Sequence, residues 1–439
     1  MEKMILENEE LTKNFLKRQF FDAWKNKTWE KDEKYLNSAS LELQVSGTCD
    51  LKCKYCYYAK YSKDLYPAEI SKKSLVLNNL DILLSWLEKN SYHPKIEIFS
   101  GELFVLSHGI EFLKRIIDWQ IRNKNFEQIV IPTNMTFIFD DDKINQVEEV
   151  LEYANKNGIK IYLSASVDGK YCDDNRPFIN GKVRDDAYYD KLFAFAKKWN
   201  ISFHPMIYSE NIEKWLDNFL WFQDMFKKFD IPFYSLYLLE VRNAEWTKKQ
   251  IKEFYKFIRG VINWIYTHIN ISPEEFPAYV FKHKLFNLFN IFSRIGRGLG
   301  CSMQSTIQLR MGDLTASVCH RAAYKLQNLW KFKVENNEIV DIESLNHNLL
   351  ITSFSFDAKS LPMCESCPIR ELCSSQCLGS MYETNGELFL PIPTVCAVEH
   401  AKVAAILDEI IDLDLYDHFY KFTAKKDSLT LYRKYFRRN

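Results

Sequence analysis

The chain lacks an excess of either charge: 58 Lys and Arg balance 58 Asp and Glu. That balance argues against a strong nucleic-acid footprint, which needs concentrated positive charge. The basic run Tyr432-Arg433-Lys434-Tyr435-Phe436-Arg437-Arg438 reads as a solvated tail. Long apolar runs are missing too. No stretch approaches the ~18 residues of a membrane span. The opening MEKMILENEELTKNF is acidic and has no signal-peptide core. A cytoplasmic protein is expected. No internal repeat or low-complexity segment is evident.

What is present is ample apolar material, with 47% hydrophobic and 15% aromatic residues among 439. At ~100–200 residues per domain, two or three domains are expected. There are eleven cysteines. Disulfides are not expected, because the cytosol keeps thiols reduced. All but Cys172 fall into groups with ligand-like spacing.

Residues 1–40 read as a helical N-terminal extension. From about 41 to 240 strand-like and helix-like segments alternate. The strand candidates are Leu41–Val45, Ile96–Ser100, Gln128–Pro132, Lys160–Ala165, Ser202–Ile207 and Tyr234–Glu240. Between them lie helical stripes such as Ile144, Val147, Leu151 and Ala154. Six βα repeats imply an α/β fold with a parallel sheet and outer helices. A partial (β/α)6 TIM-like barrel over 41–270 is the natural closure, with chemistry at the C-terminal strand ends. A helical bridge is expected over 271–300 and a cysteine-rich domain over 301–397. A C-terminal helix (398–422) and basic tail complete 398–439. TIQLRMGDLTASV reads as a β-hairpin turning at Gly312-Asp313.

Cys49, Cys53 and Cys56 stand in the spacing C-x3-C-x2-C, with Tyr55 before the third. Three thiolates hold three irons of a [4Fe–4S] cube and leave the fourth open, which suggests a reactive cluster. This motif, on a loop after the first strand, resembles the signature of the radical S-adenosylmethionine (radical SAM) superfamily. Downstream, Cys364-x2-Cys367-x5-Cys373-x3-Cys377, with Cys301 and Cys319 before and Cys396 after, resembles the SPASM domain. That module carries auxiliary [4Fe–4S] clusters. The spacing from Gly312 to Cys319 is longer than the family's usual one.

The resemblance implies a ligand set. Cys364, Cys367, Cys373 and Cys396 would hold one auxiliary cluster. Cys301, Cys319 and Cys377 would hold another, its fourth position open or filled by a side chain or substrate. Three [4Fe–4S] clusters are therefore expected. The residue-level alternative is zinc, since C-x2-C pairs are common structural zinc sites.

The resemblance also implies a SAM pocket. Ser100-Gly101-Glu102 resembles the family's G-G-E-P motif, which contacts the methionyl amine; Ser100 and Leu103 depart from it. Thr133-Asn134 resembles T-N-G, and Ser166-Val167-Asp168-Gly169 resembles S-[IL]-D-G. Tyr55, Ser100, Gly101, Glu102, Asn134, Ser166, Asp168 and Arg176 are the cofactor candidates, with Arg184 an alternative to Arg176. Ser166 is a ribose-contact candidate, and Arg176 a partner for the SAM carboxylate.

The activity implied is reductive SAM cleavage and oxidative modification of a ribosomally made precursor peptide, through a thioether or carbon–carbon crosslink. Such an enzyme needs an electron donor, a reductase or a flavodoxin or ferredoxin. Only 48 residues precede Cys49, too few for a complete leader-binding domain. Leader recognition would use the helical extension, an exposed surface or a separate leader-binding protein. His320, in Cys319-His320-Arg321, stands where sulfatase-maturating relatives carry an Asp base, and is itself a candidate base. Cys172 is a candidate hydrogen-atom donor, as in peptide epimerases. The polar segment Leu238–Trp246 is a candidate substrate contact. The alternatives are a sulfatase-maturating enzyme, a peptide epimerase and a zinc-stabilised peptide-binding scaffold.

Overall fold

The computed structural model describes residues 2–26, 40–99, 101–242, 245–283, 285–292, 306–321, 324–355, 361–373, 377–423, 426–427 and 429–430. Ser100, Cys301 and the basic tail lie outside the described residues. The described strands, in chain order, are β1 (Ser40–Gln44), β2 (Lys95–Phe99), β3 (Ile129–Thr133), β4 (Ile161–Ala165), β5 (Ser202–Phe203), β6 (Met206–Ile207), β7 (Leu239–Glu240), β8 (Thr306–Arg310), β9 (Thr315–Ser317), β10 (Asn328–Glu335) and β11 (Glu338–Ser344). The chain forms two compact units. One comprises 1–165, 177–183 and 302–355; the other comprises 166–176, 184–301 and 356–439.

In the first unit, β1, β2, β3 and β4 lie side by side and parallel, with Leu41 opposite Ile96 and Ile129 opposite Ile161. This is the α/β class expected from the alternation. Each crossover carries a helix: Lys73–Lys89, Gly109–Arg122 and Asp141–Lys156. Their buried stripes, such as Phe112, Leu113, Ile116 and Ile117, recur at the three- and four-residue steps of a helix face. Asp140 caps the third helix by accepting from the N–H groups of Asp142 and Lys143. Strand β1 is buried throughout, as befits a central strand covered on both faces.

The other neighbour of β1 is β8, also parallel, with Leu43 opposite Leu309. From β8 the chain turns at Gly312-Asp313 into antiparallel β9, the hairpin expected from the sequence. Strands β10 and β11 extend the sheet through a turn in which Asn336 and Asn337 both have positive φ. That conformation suits the twist of a two-residue hairpin. The N-terminal extension is helical over Glu2–Leu16. It docks on the end of this meander: Lys13 pairs with Asp341 at 2.7 Å, and Thr12 meets Ser344 and His347 at 2.9 Å.

In the second unit, the strand expected over Ser202–Ile207 is two short strands instead. Pro205, which has no N–H and restricts the residue before it, separates them. The strand expected over Tyr234–Glu240 contracts to β7, parallel to β6. Helix Lys248–His268 starts with a Thr247/Gln250 capping box. It packs on helix Pro393–Asp412, with Tyr255 donating to Asp408 at 2.7 Å. The single final helix expected over 398–422 is broken into Pro393–Asp412 and Tyr416–Phe422. Asp414 takes a left-handed conformation, and the Leu415 N–H returns to the Ile410 carbonyl at 2.7 Å, which closes the first helix. No helix of the described residues is long and apolar enough to cross a membrane.

Candidate functional site

The loop after β1 is bound to the end of β2 by backbone hydrogen bonds. Gly101 donates to the Ser46 carbonyl at 2.7 Å and Glu102 to the Thr48 carbonyl at 2.8 Å. Contact is so close that a Cβ on Gly101 would lie 2.2 Å from the Thr48 oxygen. Only glycine fits there. The loop is held on its other side by Lys52, which donates to Pro177, and by Ile179, which donates to Asp50.

Glu102 is 2% exposed. Its Oε1 accepts from the Phe104 N–H at 3.1 Å and the Thr133 hydroxyl at 2.9 Å, and its Oε2 accepts from the Asn134 N–H at 2.6 Å. Burial raises its carboxyl pKa to about 7 despite these bonds. The Asn134 side-chain amide donates to Asp50 at 2.8 Å and reaches the Cys49 sulfur at 3.5 Å. Burial, then the nearby Glu102, pushes the Cys49 thiol far up. Cys49, Cys53 and Cys56 are all half-buried on this loop, and Tyr55 lies between the last two. A cavity of about 650 Å³ opens beside them, lined by Cys49, Cys56, Gly101, Tyr58 and Tyr66 among others.

Thus three strand ends bring Cys49, Cys53, Cys56, Gly101, Glu102 and Asn134 into one neighbourhood. Among the described residues no three His, Cys, Asp or Glu side chains converge on a point that a single ion would fill. Three thiols spread along a loop beside a roomy cavity fit a larger sulfur-ligated group. Asp50 belongs to this site and was not anticipated from the sequence, while Thr133, read there only as part of the T-N motif, proves to bond Glu102.

His320 also lies in the first unit. Its Nδ1 is 3.2 Å from the Glu42 carboxylate, its ring stacks on Phe99 at 4.6 Å, and its backbone N–H donates to Gln308 at 3.1 Å. The adjacent Cys319 is buried.

In the second unit, the other pocket candidates form a buried polar group. Arg176 donates from Nε to Asp168 at 2.8 Å, and the same carboxylate oxygen accepts from the Met206 N–H at 2.9 Å. Arg184 pairs with Asp173 at 2.6 Å and donates to the Arg176 carbonyl at 3.2 Å. Burial, then the Arg176 charge, lowers the His204 pKa to about 4, so that ring is neutral. Ser166 begins this stretch, just past β4. Cys172 is fully buried, and burial pushes its thiol far above the ordinary thiol range.

The later cysteines sit at turns and helix starts. Cys364 and Cys367 share a turn, Cys377 precedes helix Leu378–Asn385, and Cys396 lies in the first turn of Pro393–Asp412. All four, with Cys373, are half-buried. The Cys367 sulfur is 3.4 Å from His400 Nε2, and that of Cys373 is 3.9 Å from Glu399. Lys402 joins Glu399 at 2.7 Å to Glu240 at 3.0 Å. This last set had no signal in the sequence beyond the i,i+3 spacing of Glu399 and Lys402.

No protein-family model matches the chain, and no curated protein matches it. Solved structures do. Native anSMEcpe with bound AdoMet superposes with a TM-score of 0.55 at 17% identity, over 85% of this chain and 98% of that one. The likeness is one of fold. Streptococcus suis SuiB bound to S-adenosylmethionine, and SuiB bound to precursor peptide SuiA, each match at 14% identity with a TM-score of 0.49. They cover 84% of this chain and 80% and 79% of theirs.

Proposed function

We propose that the chain is a radical SAM peptide maturase. The observation that carries this reading is the joining of Glu102, Asn134 and Cys49 at the ends of three successive parallel strands. A [4Fe–4S] cluster on Cys49, Cys53 and Cys56 would supply one electron to the sulfonium of S-adenosylmethionine, giving methionine and a 5′-deoxyadenosyl radical that takes a hydrogen atom from substrate. The chain's own residues bind and orient. Glu102 offers a carboxylate for the methionyl amine, Gly101 lets the cysteine loop pack against the end of β2, and Asn134 ties Glu102 to that loop. Tyr58 and Tyr66 line the adjoining cavity. Tyr55 is a further cofactor contact in this reading, and Ser166, Asp168 and Arg176 stand as candidates on the sequence resemblance alone.

The downstream cysteines, in the same reading, would hold auxiliary clusters, which would supply a site for the electron left on the oxidised substrate. The substrate class is a ribosomally made precursor peptide, crosslinked through a thioether or carbon–carbon bond. A flavodoxin, ferredoxin or reductase supplies the electron. His320, the candidate base, has its Nδ1 beside Glu42 and its face on Phe99. Both contacts orient the ring, and a carboxylate on Nδ1 leaves Nε2 as the nitrogen that a base role would use.

The test is co-expression with each small open reading frame found beside this gene, followed by mass spectrometry of its peptide. The reading expects the loss of two hydrogens per bridge, abolished by Cys53→Ala. An unchanged peptide, together with formylglycine in a co-expressed sulfatase, would contradict it.

A further inference from the structure

Cys396 lies in the first turn of helix Pro393–Asp412. Glu399 and His400 follow three and four residues later, so all three share one helix face. From that face His400 Nε2 reaches the Cys367 sulfur at 3.4 Å, and Glu399 stands 3.9 Å from the Cys373 sulfur. Cys364 is joined to them through its turn, where its carbonyl accepts from the Cys367 N–H at 3.2 Å. One helical turn thus gathers the four cysteines that the sequence resemblance groups as a ligand set. Four thiols are a donor set that fits a [4Fe–4S] cluster.

The backbone holds both ends of the His400 contact. The Cys367 carbonyl accepts from the Arg370 N–H at 3.1 Å, and the Ile369 carbonyl from the Cys373 N–H at 2.8 Å. His400 itself rides on a helix of 20 residues. Chemistry then gives the contact a direction. A cysteine bound to a metal is a thiolate. With no proton to give, its sulfur only accepts. A neutral imidazole donates from one of its two ring nitrogens, and the nitrogen facing this sulfur is Nε2. Glu399 cannot take that part, because a carboxylate only accepts. Its charge is met by Lys402 at 2.7 Å.

We propose that His400 is a positioning residue for the cluster on Cys364, Cys367, Cys373 and Cys396: its Nε2–H donates to the Cys367 sulfur and raises the cluster's reduction potential. The donated hydrogen draws negative charge from the sulfur, so an added electron is better accommodated. Hydrogen bonds to the sulfurs are one of the levers that set a cluster's potential. Partners of this kind also fix the orientation of the ligand they touch. This inference rests on the reading of these cysteines as cluster ligands.

The experiment uses the full chain with Cys49, Cys53 and Cys56 changed to Ala, which leaves only auxiliary clusters. The protein carries histidine labelled with heavy nitrogen and is reconstituted with iron and sulfide without oxygen. It is titrated with dithionite, and the reduced form is examined by pulsed paramagnetic resonance. The parent should show a weak coupling between the cluster spin and a histidine nitrogen. His400→Ala should remove that coupling with unchanged iron content. It should also make one-electron reduction of one cluster about tenfold less favourable, a fall of about 59 mV. His400→Gln, whose amide can donate, should recover most of the potential but not the coupling. A coupling spectrum or a potential that His400→Ala leaves unchanged overturns the proposal. If His400→Ala does not fold, the glutamine variant decides: an unchanged coupling spectrum there overturns it. A parent that binds no iron overturns the cluster reading itself, and this inference with it.

Discussion

Asn134 donates its backbone N–H to Glu102 across 2.6 Å, while its side chain reaches back to Asp50 and Cys49. One asparagine at the end of β3 thereby joins the carboxylate after β2 to the cysteine loop after β1. Burial raises that carboxylate to about 7.

The first prediction follows from that value. The folded pKa of Glu102 lies above the ordinary ~4.3. Its contribution to stability is therefore fully present below pH ~4.3 and is lost as pH rises through about 7. An arriving ammonium reverses the preference. S-adenosylmethionine binding, followed by calorimetry, should tighten up to about tenfold per pH unit below 7 and level off above it. Glu102→Gln should weaken binding and flatten this dependence.

Gly101→Ala places a methyl 2.2 Å from the Thr48 oxygen, a backbone atom that cannot rotate away. Overpacking of this kind costs about 1–3 kcal/mol, and here it would displace the cysteine loop. A lowered Tm together with loss of iron from Cys49, Cys53 and Cys56 is expected. An alanine variant with normal Tm and iron content would mean the loop does not rest on this glycine.

Asp168 is fully buried and paired with Arg176. Arg176→Met leaves a buried carboxylate without its cation and should cost about 3–5 kcal/mol in urea unfolding. Adding Asp168→Asn should return much of that loss, because the amide needs no countercharge. Equal losses in the single and double variants would show that the pair is not coupled.

Cys172 has no solvent exposure and a thiol held protonated by burial. Iodoacetamide should leave it unmodified in the native protein and alkylate it after unfolding in denaturant. A protonated thiol is also the form that would hand a hydrogen atom to a substrate radical, as the epimerase reading needs. Fast native labelling would refute the buried, protonated state.

Much of this was legible in the sequence. Strands β1 to β4 lie within one residue of where short apolar runs and turn residues put them. Gly101, Glu102 and Asn134 were readable because they directly follow those strands. What was hidden is long-range. The parallel pairing of β8 with β1, the Asn134–Asp50 bond across 84 positions and the Lys402–Glu240 bridge across 162 leave no local pattern. Local signals also failed where one residue overrides periodicity. Pro205 divides an apparent strand, and left-handed Asp414 ends an apparent helix.

The central claim is that the thiols of Cys49, Cys53 and Cys56 hold a redox group at which S-adenosylmethionine is cleaved. The most direct measurement is chromatography of the anaerobically reconstituted protein after incubation with S-adenosylmethionine and dithionite. The account predicts equal amounts of methionine and 5′-deoxyadenosine, dependent on dithionite and lost when the three cysteines are changed to alanine. A colourless, zinc-loaded protein that releases neither product would contradict it.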